Sequence, residues 1–368
     1  MKLPELYCRA LNLHFLSVDE GLYLYQHAPL ADLMHLGSEL RQKHVPGNTV
    51  SWQIDRNVNY SNVCIAHCRF CNFCRTRNSS DAYLITDDQY DVKIRELFEI
   101  GGNQLLLQGR LHPDLGLSYY TGLFRRLKNC YPALKLHALG PPEVYHIARK
   151  ENMTCCATLQ ALIEAGLDSL PGAGAEILSD RVRKIVSPAK CNTQQWLGVM
   201  RDAHVLNLPT SATMMFGHIE NERERIEHLV HIRDLQAEKP EGAYGFLAFI
   251  PWPFQSNGTE LECKMNIRNS IHTQDYLRMV AISRVMLPNI THIQASWLTV
   301  GIQTGLLSLY AGADDIGSVM MEENVVSAAG ASHKMDVSGM QEAIRKAGFT
   351  PVLRNQKYEN TVLHPPLQ

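Results

Sequence analysis

The chain has 368 residues, 45% of them hydrophobic, and 35 Lys and Arg against 37 Asp and Glu leave a formal net charge of −2. That length suits two average domains or one large α/β barrel with extensions, and near-neutrality gives no support for a nucleic-acid partner or an anionic membrane surface. No run approaches the roughly eighteen apolar residues of a membrane helix, and the N-terminus, Met-Lys-Leu-Pro-Glu-Leu-Tyr-Cys, lacks the basic-then-apolar pattern of a signal peptide.

The first fifty residues read as helical. Ser17-Val-Asp-Glu20 has the spacing of a capping box, and Leu22, Leu24, Leu30, Leu33 and Leu36 supply an apolar face. Gly47 breaks this segment before the β-prone Val50-Ser-Trp-Gln-Ile54. From there short apolar runs alternate with longer amphipathic ones. Strands are predicted at 57–63, 104–108, 135–139, 169–170, 211–216, 245–250 and 293–297, and helices at 88–100, 119–130, 158–165, 194–206, 221–235 and 274–286. Such alternation implies parallel strands joined by helical crossovers, an α/β fold of the TIM-like (β/α) barrel type. The expected division is an N-terminal helical extension at 1–49, a barrel at 50–318 and a C-terminal segment at 319–368 that completes the barrel mouth.

Barrel enzymes place their chemistry in the loops after the strands. Here those loops are Gln108-Gly109, Gly140-Pro-Pro-Glu143, Pro171-Gly-Ala-Gly-Ala-Glu176, Gly217-His218 and Pro251-Trp-Pro-Phe254. After the first strand comes Cys64-Ile-Ala-His-Cys68-Arg-Phe-Cys71. A three-residue gap and then a two-residue gap let one loop wrap a single iron–sulfur cluster, and three thiolates for four irons leave one iron open. A structural zinc site is the alternative, with His67 or Cys74 as fourth ligand, although such sites usually use paired Cys-x2-Cys knuckles. The remaining cysteines are scattered and read mostly as reduced core residues, which places the protein in the cytoplasm.

The three cysteines, with Phe70 before the last, resemble the Cys-x3-Cys-x-aromatic-Cys signature of the radical S-adenosylmethionine superfamily. Asp55–Cys64, Leu106-Leu-Gln-Gly109, Leu170–Leu178, Ala212–His218, Phe249–Phe254, Gln294-Ala-Ser-Trp297, Met320–Asn324 and Arg354-Asn355 extend the likeness to the menaquinone-biosynthetic branch. Within it the chain is most similar to the dehypoxanthine futalosine cyclase family. The families of aminofutalosine synthase and of a deazaflavin-forming relative are the alternatives.

The resemblance implies a radical SAM barrel, a 4Fe–4S cluster held by Cys64, Cys68 and Cys71, and S-adenosylmethionine chelated at the open iron. It implies an electron from a reducing donor such as flavodoxin or ferredoxin. Hydrogen would leave ribose carbon 4′ of dehypoxanthine futalosine, and the carbon radical would close a ring on the neighbouring benzoate. Arg110, Cys74, Asn72, Ala138 and Gly140 depart from the family pattern.

Phe70 is a candidate for packing on adenosine, against a role as ordinary core. Glu176 is a candidate for the ammonium of S-adenosylmethionine, against a helix-start carboxylate. Gln108 and Glu143 can orient ligand polar groups or merely loop backbone. His218 is the candidate general base, because histidine titrates near neutrality, against a structural hydrogen-bonding role. Arg56 and Arg354 are candidates for a bidentate clamp on the benzoate carboxylate, against ordinary ion pairs. Glu322 and Glu323 are candidates for ribose hydroxyls, against a solvated acidic segment.

Overall fold

The computed structural model describes residues 2–109, 111–322, 324, 328 and 335–367. Nine strands are named in order: β1 (Thr49–Gln53), β2 (Asp55–Asn59), β3 (Gln104–Gln108), β4 (Lys135–Ala138), β5 (Thr210–Phe216), β6 (Phe246–Pro253), β7 (His292–Ile293), β8 (Asp315–Ser318) and β9 (Thr350–Leu353).

Every pairing between these strands is parallel. β2 pairs with β3 and β3 with β4. Bridges His137↔Ser169 and Leu170↔Thr210 carry the sheet through residues 169–170 to β5. It continues through β6 and β7, crosses the bridge Gln294↔Asp315 to β8, and reaches β1. Only Ile54 separates β1 from β2, and Met321 N–H donates to the Asp55 carbonyl at 3.4 Å. The ring therefore closes, with β1 and β2 as two halves of one strand. β9 lies outside this ring and pairs with β1 on the edge opposite β8, beside the base of the barrel.

The helices return the chain between strands. The capping box forms as spaced: Ser17 N–H donates to Glu20 at 2.8 Å, and Glu20 N–H donates to the Ser17 hydroxyl at 3.2 Å. The N-terminal helices Val18–His27 and Leu30–His44 pack directly on the barrel helices. Buried Arg41 locks them in place by donating to the carbonyls of Ala313, Gly47 and Thr49. Among the described residues no helix is long and apolar enough to cross a membrane.

Several boundaries differ from expectation. The first barrel strand ends at Asn59, because the backbone turns there into the cysteine loop. Trp297 begins a short helix, Trp297–Val300, instead of ending a strand. Gly140-Pro-Pro-Glu143 opens the helix Pro141–Lys150, since proline is well tolerated in a first helical turn. β8 and β9 were not anticipated; each is only four residues long, and Asp-Ile-Gly-Ser carries little strand propensity.

Candidate active site

The loop after β2 is pinned by its backbone. Cys64 N–H donates to Arg75, Ile65 N–H to Leu111, Arg69 N–H to Val186 and Cys71 N–H to Cys68, all near 3 Å. His67 takes a left-handed conformation (φ 42°), which tightens the coil between the first two cysteines. Cys64 and Cys68 are buried, Cys71 is half-buried, and all three line one cavity at the carboxyl ends of the strands together with Phe70 and Cys74. Cys74 Sγ lies 3.3 Å from the Cys64 carbonyl and 3.8 Å from His67 Nδ1.

Among the described residues no three His, Cys, Asp or Glu side chains converge as ligands of one metal ion. A zinc ion needs its ligands gathered on one point, whereas each thiolate of a cluster takes its own iron. Cys64, Cys68 and Cys71 line one cavity, so each can offer a thiolate to a cluster set there.

The opposite wall comes from the loop after residues 169–170. Gly172 passes so close to β5 that a Cβ would sit 2.4 Å from the Ser211 carbonyl oxygen. Glu176 is left-handed (φ 45°) and buried, with its own carbonyl accepting from Met215 N–H at 2.9 Å. Its carboxylate accepts from Lys190 Nζ at 2.7 Å, and the same ammonium stands 5.3 Å from the Phe70 ring centre. Burial raises the Glu176 carboxyl, but Lys190, Arg183 and His218 outweigh it and hold the group below its ordinary range. Burial lowers the Lys190 ammonium, but Cys68 and Glu176 reverse that and leave it raised. Burial pushes the Cys68 thiol up to about 12 against the pull of Lys190, with Glu176, Cys71 and Cys64 adding to the rise. Lys190 is therefore the positive charge that faces both the cysteines and Glu176.

Gln108 ends β3 at the cavity, where its carbonyl accepts from Asn59 Nδ2 at 3.1 Å. Glu143 accepts from Gly109 N–H and the Tyr60 hydroxyl, each at 3.1 Å. Gly109 admits no side chain, because a Cβ would overlap the Tyr60 ring at 1.6 Å.

Thus Cys64, Cys68, Cys71, Phe70, Gln108, Glu143 and Glu176 meet at one cavity. His218 does not line it. Its side chain is fully buried, with Nε2 3.0 Å from the Met215 carbonyl and Nδ1 2.7 Å from Ile219 N and 3.0 Å from Glu220.

Neither arginine faces the cavity as a clamp. Arg56 pairs with Glu96 and Glu322 and donates to the Lys93 carbonyl, on the outward side of β2. Arg354 is buried at the barrel base, where it grips both carboxylate oxygens of Asp315 and the Gln53 side chain. Glu322 is taken up by Arg56, Lys93 and Asn324. Arg110 and Glu323 lie outside the described residues.

Lys190, Asn59, Thr213 and Trp252 also line the cavity; Trp252 comes from the Pro251–Phe254 loop that the sequence placed at the mouth, whereas Lys190, Asn59 and Thr213 were not singled out as site residues. The two-residue period of a strand starting at Asp55 would have turned Asn59 inward with Asp55 and Asn57, and Arg56 outward. Lys190, in Ser-Pro-Ala-Lys, carries no comparable signal.

Two family models match in succession: the Radical SAM superfamily over residues 58–232, and the CofH/MqnC C-terminal region over residues 243–365. A cyclic dehypoxanthine futalosine synthase of Streptomyces coelicolor is 41% identical over 95% of this chain and 86% of its own length. Another, of Halalkalibacterium halodurans, is 39% identical over 95% of this chain and 93% of its own. A 5-amino-6-(D-ribitylamino)uracil–L-tyrosine 4-hydroxyphenyl transferase of Archaeoglobus fulgidus is 37% identical over 89% of this chain and 93% of its own. The crystal structure of methylornithine synthase shares the fold, with a TM-score of 0.70 at 18% identity over 95% of this chain and 98% of that one. On this similarity across nearly its whole length, the chain belongs to the radical S-adenosylmethionine superfamily, in the branch carrying the CofH/MqnC C-terminal region, and its cofactors are a 4Fe–4S cluster and S-adenosylmethionine.

Proposed function

We propose that this protein is a radical S-adenosylmethionine cyclase that converts dehypoxanthine futalosine to cyclic dehypoxanthine futalosine on the futalosine route to menaquinone. The observation that carries the chemistry is the single cavity in which three cysteines face the Lys190–Glu176 pair. The choice of substrate is supported by two relatives whose names state that product, at 41% and 39% identity.

In this reading residues 1–49 support the barrel and 50–318 form it, while the described part of 319–368 begins at the mouth after β8 and sets β9 against β1 at the base, whereas the sequence predicts only a completion of the mouth. Cys64, Cys68 and Cys71 would hold the cluster, and with three thiolates for four irons would leave one iron for S-adenosylmethionine. Glu176 and Lys190 present an acceptor and a cation side by side, which complements the ammonium and carboxylate of the methionine moiety. Phe70 packs on the adenine, and Gln108 and Glu143 orient ligand polar groups. Asn59, Thr213 and Trp252 remain for the substrate.

When bound, the two cofactors would supply a deoxyadenosyl radical for abstraction of one hydrogen from ribose carbon 4′; the ring closed between that carbon and the benzoate then has to lose one electron and one proton to regain aromaticity, which makes the product two hydrogens lighter. The walls hold ribose and ring in a near-attack arrangement, favouring closure over quenching by a stray hydrogen donor. His218 enters as an anchor of the turn after β5, because its ring is buried with both nitrogens engaged. The donor of the electron is a low-potential carrier such as flavodoxin or ferredoxin, and the compartment is the cytoplasm.

The test is an anaerobic assay of reconstituted protein with dithionite, S-adenosylmethionine and dehypoxanthine futalosine, read by mass spectrometry. A product two hydrogens lighter, formed with 5′-deoxyadenosine, is expected. Its absence, with coupling of tyrosine to 5-amino-6-(D-ribitylamino)uracil instead, would assign the chain to the transferase chemistry.

A further inference from the structure

We propose that the surface groove beside the cysteine loop is the docking site of a small acidic electron-carrier protein. The inference rests on the radical reading above, which needs one electron from outside the protein.

The groove has an apolar floor that includes Ile65, Leu111 and Pro142, and His146, Arg149 and Lys150 stand along it. Leu111 and Pro142 also line the cysteine cavity from the other side. The wall between groove and cavity is therefore one side chain thick at those positions. Ile65 directly follows buried Cys64, yet is 44% exposed. The backbone bond from Ile65 N–H to the Leu111 carbonyl, at 3.0 Å, fixes it beside that wall. Ile65 thus gives the groove an exposed apolar contact beside the cysteine loop, on which a docked protein can seat.

Charge identifies the partner. Arg149 and Lys150 are exposed, and among the described residues no carboxylate lines the groove. Arg149 sits 6.0 Å from the Tyr145 ring centre, and Lys150 Nζ donates to the Pro113 carbonyl at 2.7 Å, so both are positioned at the rim. Of the flanking carboxylates, Asp114 is paired with Arg77 at 3.2 Å, and Glu151, though still charged, is turned from the groove to accept from Leu117 N–H at 2.9 Å. The chain as a whole is slightly acidic, so this basic rim is a local feature.

An apolar centre with a cationic rim matches the small, transient interfaces of electron-transfer proteins, in which charge steers the encounter. Only a partner that delivers an electron gains from a wall this thin. The step is one electron: the carrier is oxidised by one, the cluster is reduced by one, and no bond forms or breaks between the proteins.

The test compares two reductants on the reconstituted holoenzyme, with 5′-deoxyadenosine as readout. Dithionite needs no docking; reduced flavodoxin, an acidic flavoprotein, is the carrier probe. For Arg149→Glu and Arg149→Glu/Lys150→Glu, the dithionite-driven rate should stay at wild-type level. The flavodoxin-driven rate should fall about tenfold or more at limiting carrier. Added salt should slow the wild type with flavodoxin and have little effect on the variants. Wild-type flavodoxin rates in both variants would overturn the proposal. If both reductants fail equally in the charge reversals, Arg149→Gln decides: a flavodoxin-specific loss supports docking, and parallel loss or no loss overturns it. Absence of deoxyadenosine from the wild type with dithionite would instead defeat the radical reading beneath it.

Discussion

Replacing Lys190 by methionine tests the centre of the site. The side chain keeps its apolar stem, one atom shorter, and loses its charge, leaving the Glu176 carboxylate, 5% exposed, without its partner at 2.7 Å. At that separation and an effective dielectric of about 20 the attraction is ~6 kcal/mol. Desolvation of two ions takes back much of it, and removing one member of a buried pair typically costs about 3–5 kcal/mol. Lys190→Met apoprotein should lose stability on that scale in urea unfolding. The double variant Lys190→Met/Glu176→Gln should recover at least half of the loss, since no orphan charge remains. The pH dependence has two limbs. Glu176 is lowered in the fold, so its contribution is present above the unfolded carboxyl value and is lost as acid drives the folded group to protonate. Lys190 is raised, so its contribution is present below the unfolded lysine value and is lost as alkali rises through the folded one. In the holoenzyme Lys190→Met and the single variant Glu176→Gln should each weaken S-adenosylmethionine binding about tenfold, and the double variant should not regain it. Additive stability losses would refute the ion-pair argument. Unchanged S-adenosylmethionine affinity in all three variants would refute the ligand role.

Cys64→Ala, Cys68→Ala and Cys71→Ala should each lose iron and sulfide on anaerobic reconstitution, while Cys74→Ala keeps them; equal loss in Cys74→Ala would mean that the open iron is misassigned. Arg354→Met should lower unfolding stability by about 3 kcal/mol or more, because Asp315 is then left buried and unpaired, and a variant of wild-type stability with raised KM would return Arg354 to the substrate. Glu220 is held at about 2, with burial opposed by His218, Arg225 and Gly217 N–H, so its contribution is complete above about 4.5 and is lost as pH falls towards 2. Glu220→Gln should flatten that acid limb, and an unchanged limb would contradict the assignment. His218→Gln should lower thermal stability and reduce deoxyadenosine and cyclic product together; loss of cyclic product with deoxyadenosine preserved would restore His218 as the proton acceptor.

What was legible in the sequence was local. The cysteine spacing lies within eight residues, the capping box at Ser17–Glu20 within four, and the apolar run Leu105–Leu107 forms β3 where it stands. Misplaced roles arose where function depends on which way a side chain faces. Arg56 has the right chemistry for a carboxylate clamp, but the pleat of β2 turns it outward to Glu322 and Glu96. Arg354 has the same chemistry, but β9 lies along the barrel base, and its guanidinium completes a buried network with Asp315 and Gln53. Lys190 reaches Glu176 only because the short helix Asp180–Val186 and the turn after it fold back over the loop, a long-range outcome with no periodic signature.

Backbone strain is the other part that a sequence conceals; among the described residues nine non-glycine residues are left-handed, five of them away from the site and four near it. Four non-glycine residues with left-handed backbone sit at strand ends or in the cysteine loop: His67 (φ 42°), Leu139 (φ 63°), Glu176 (φ 45°) and Met320 (φ 48°). Each costs about 1 kcal/mol or more relative to an ordinary conformation. Glycine would remove that cost, and Gly174, two residues before Glu176, does so at φ 74°. At position 176 the chain keeps glutamate, buries its carboxylate and stitches the turn with Met215 N–H on the Glu176 carbonyl and Arg183 on the Ala175 carbonyl. A loop needed only to connect two strands would gain from glycine there. Strain and burial borne together at one carboxylate, opposite three cysteines, argue that the carboxylate itself is what the loop exists to hold.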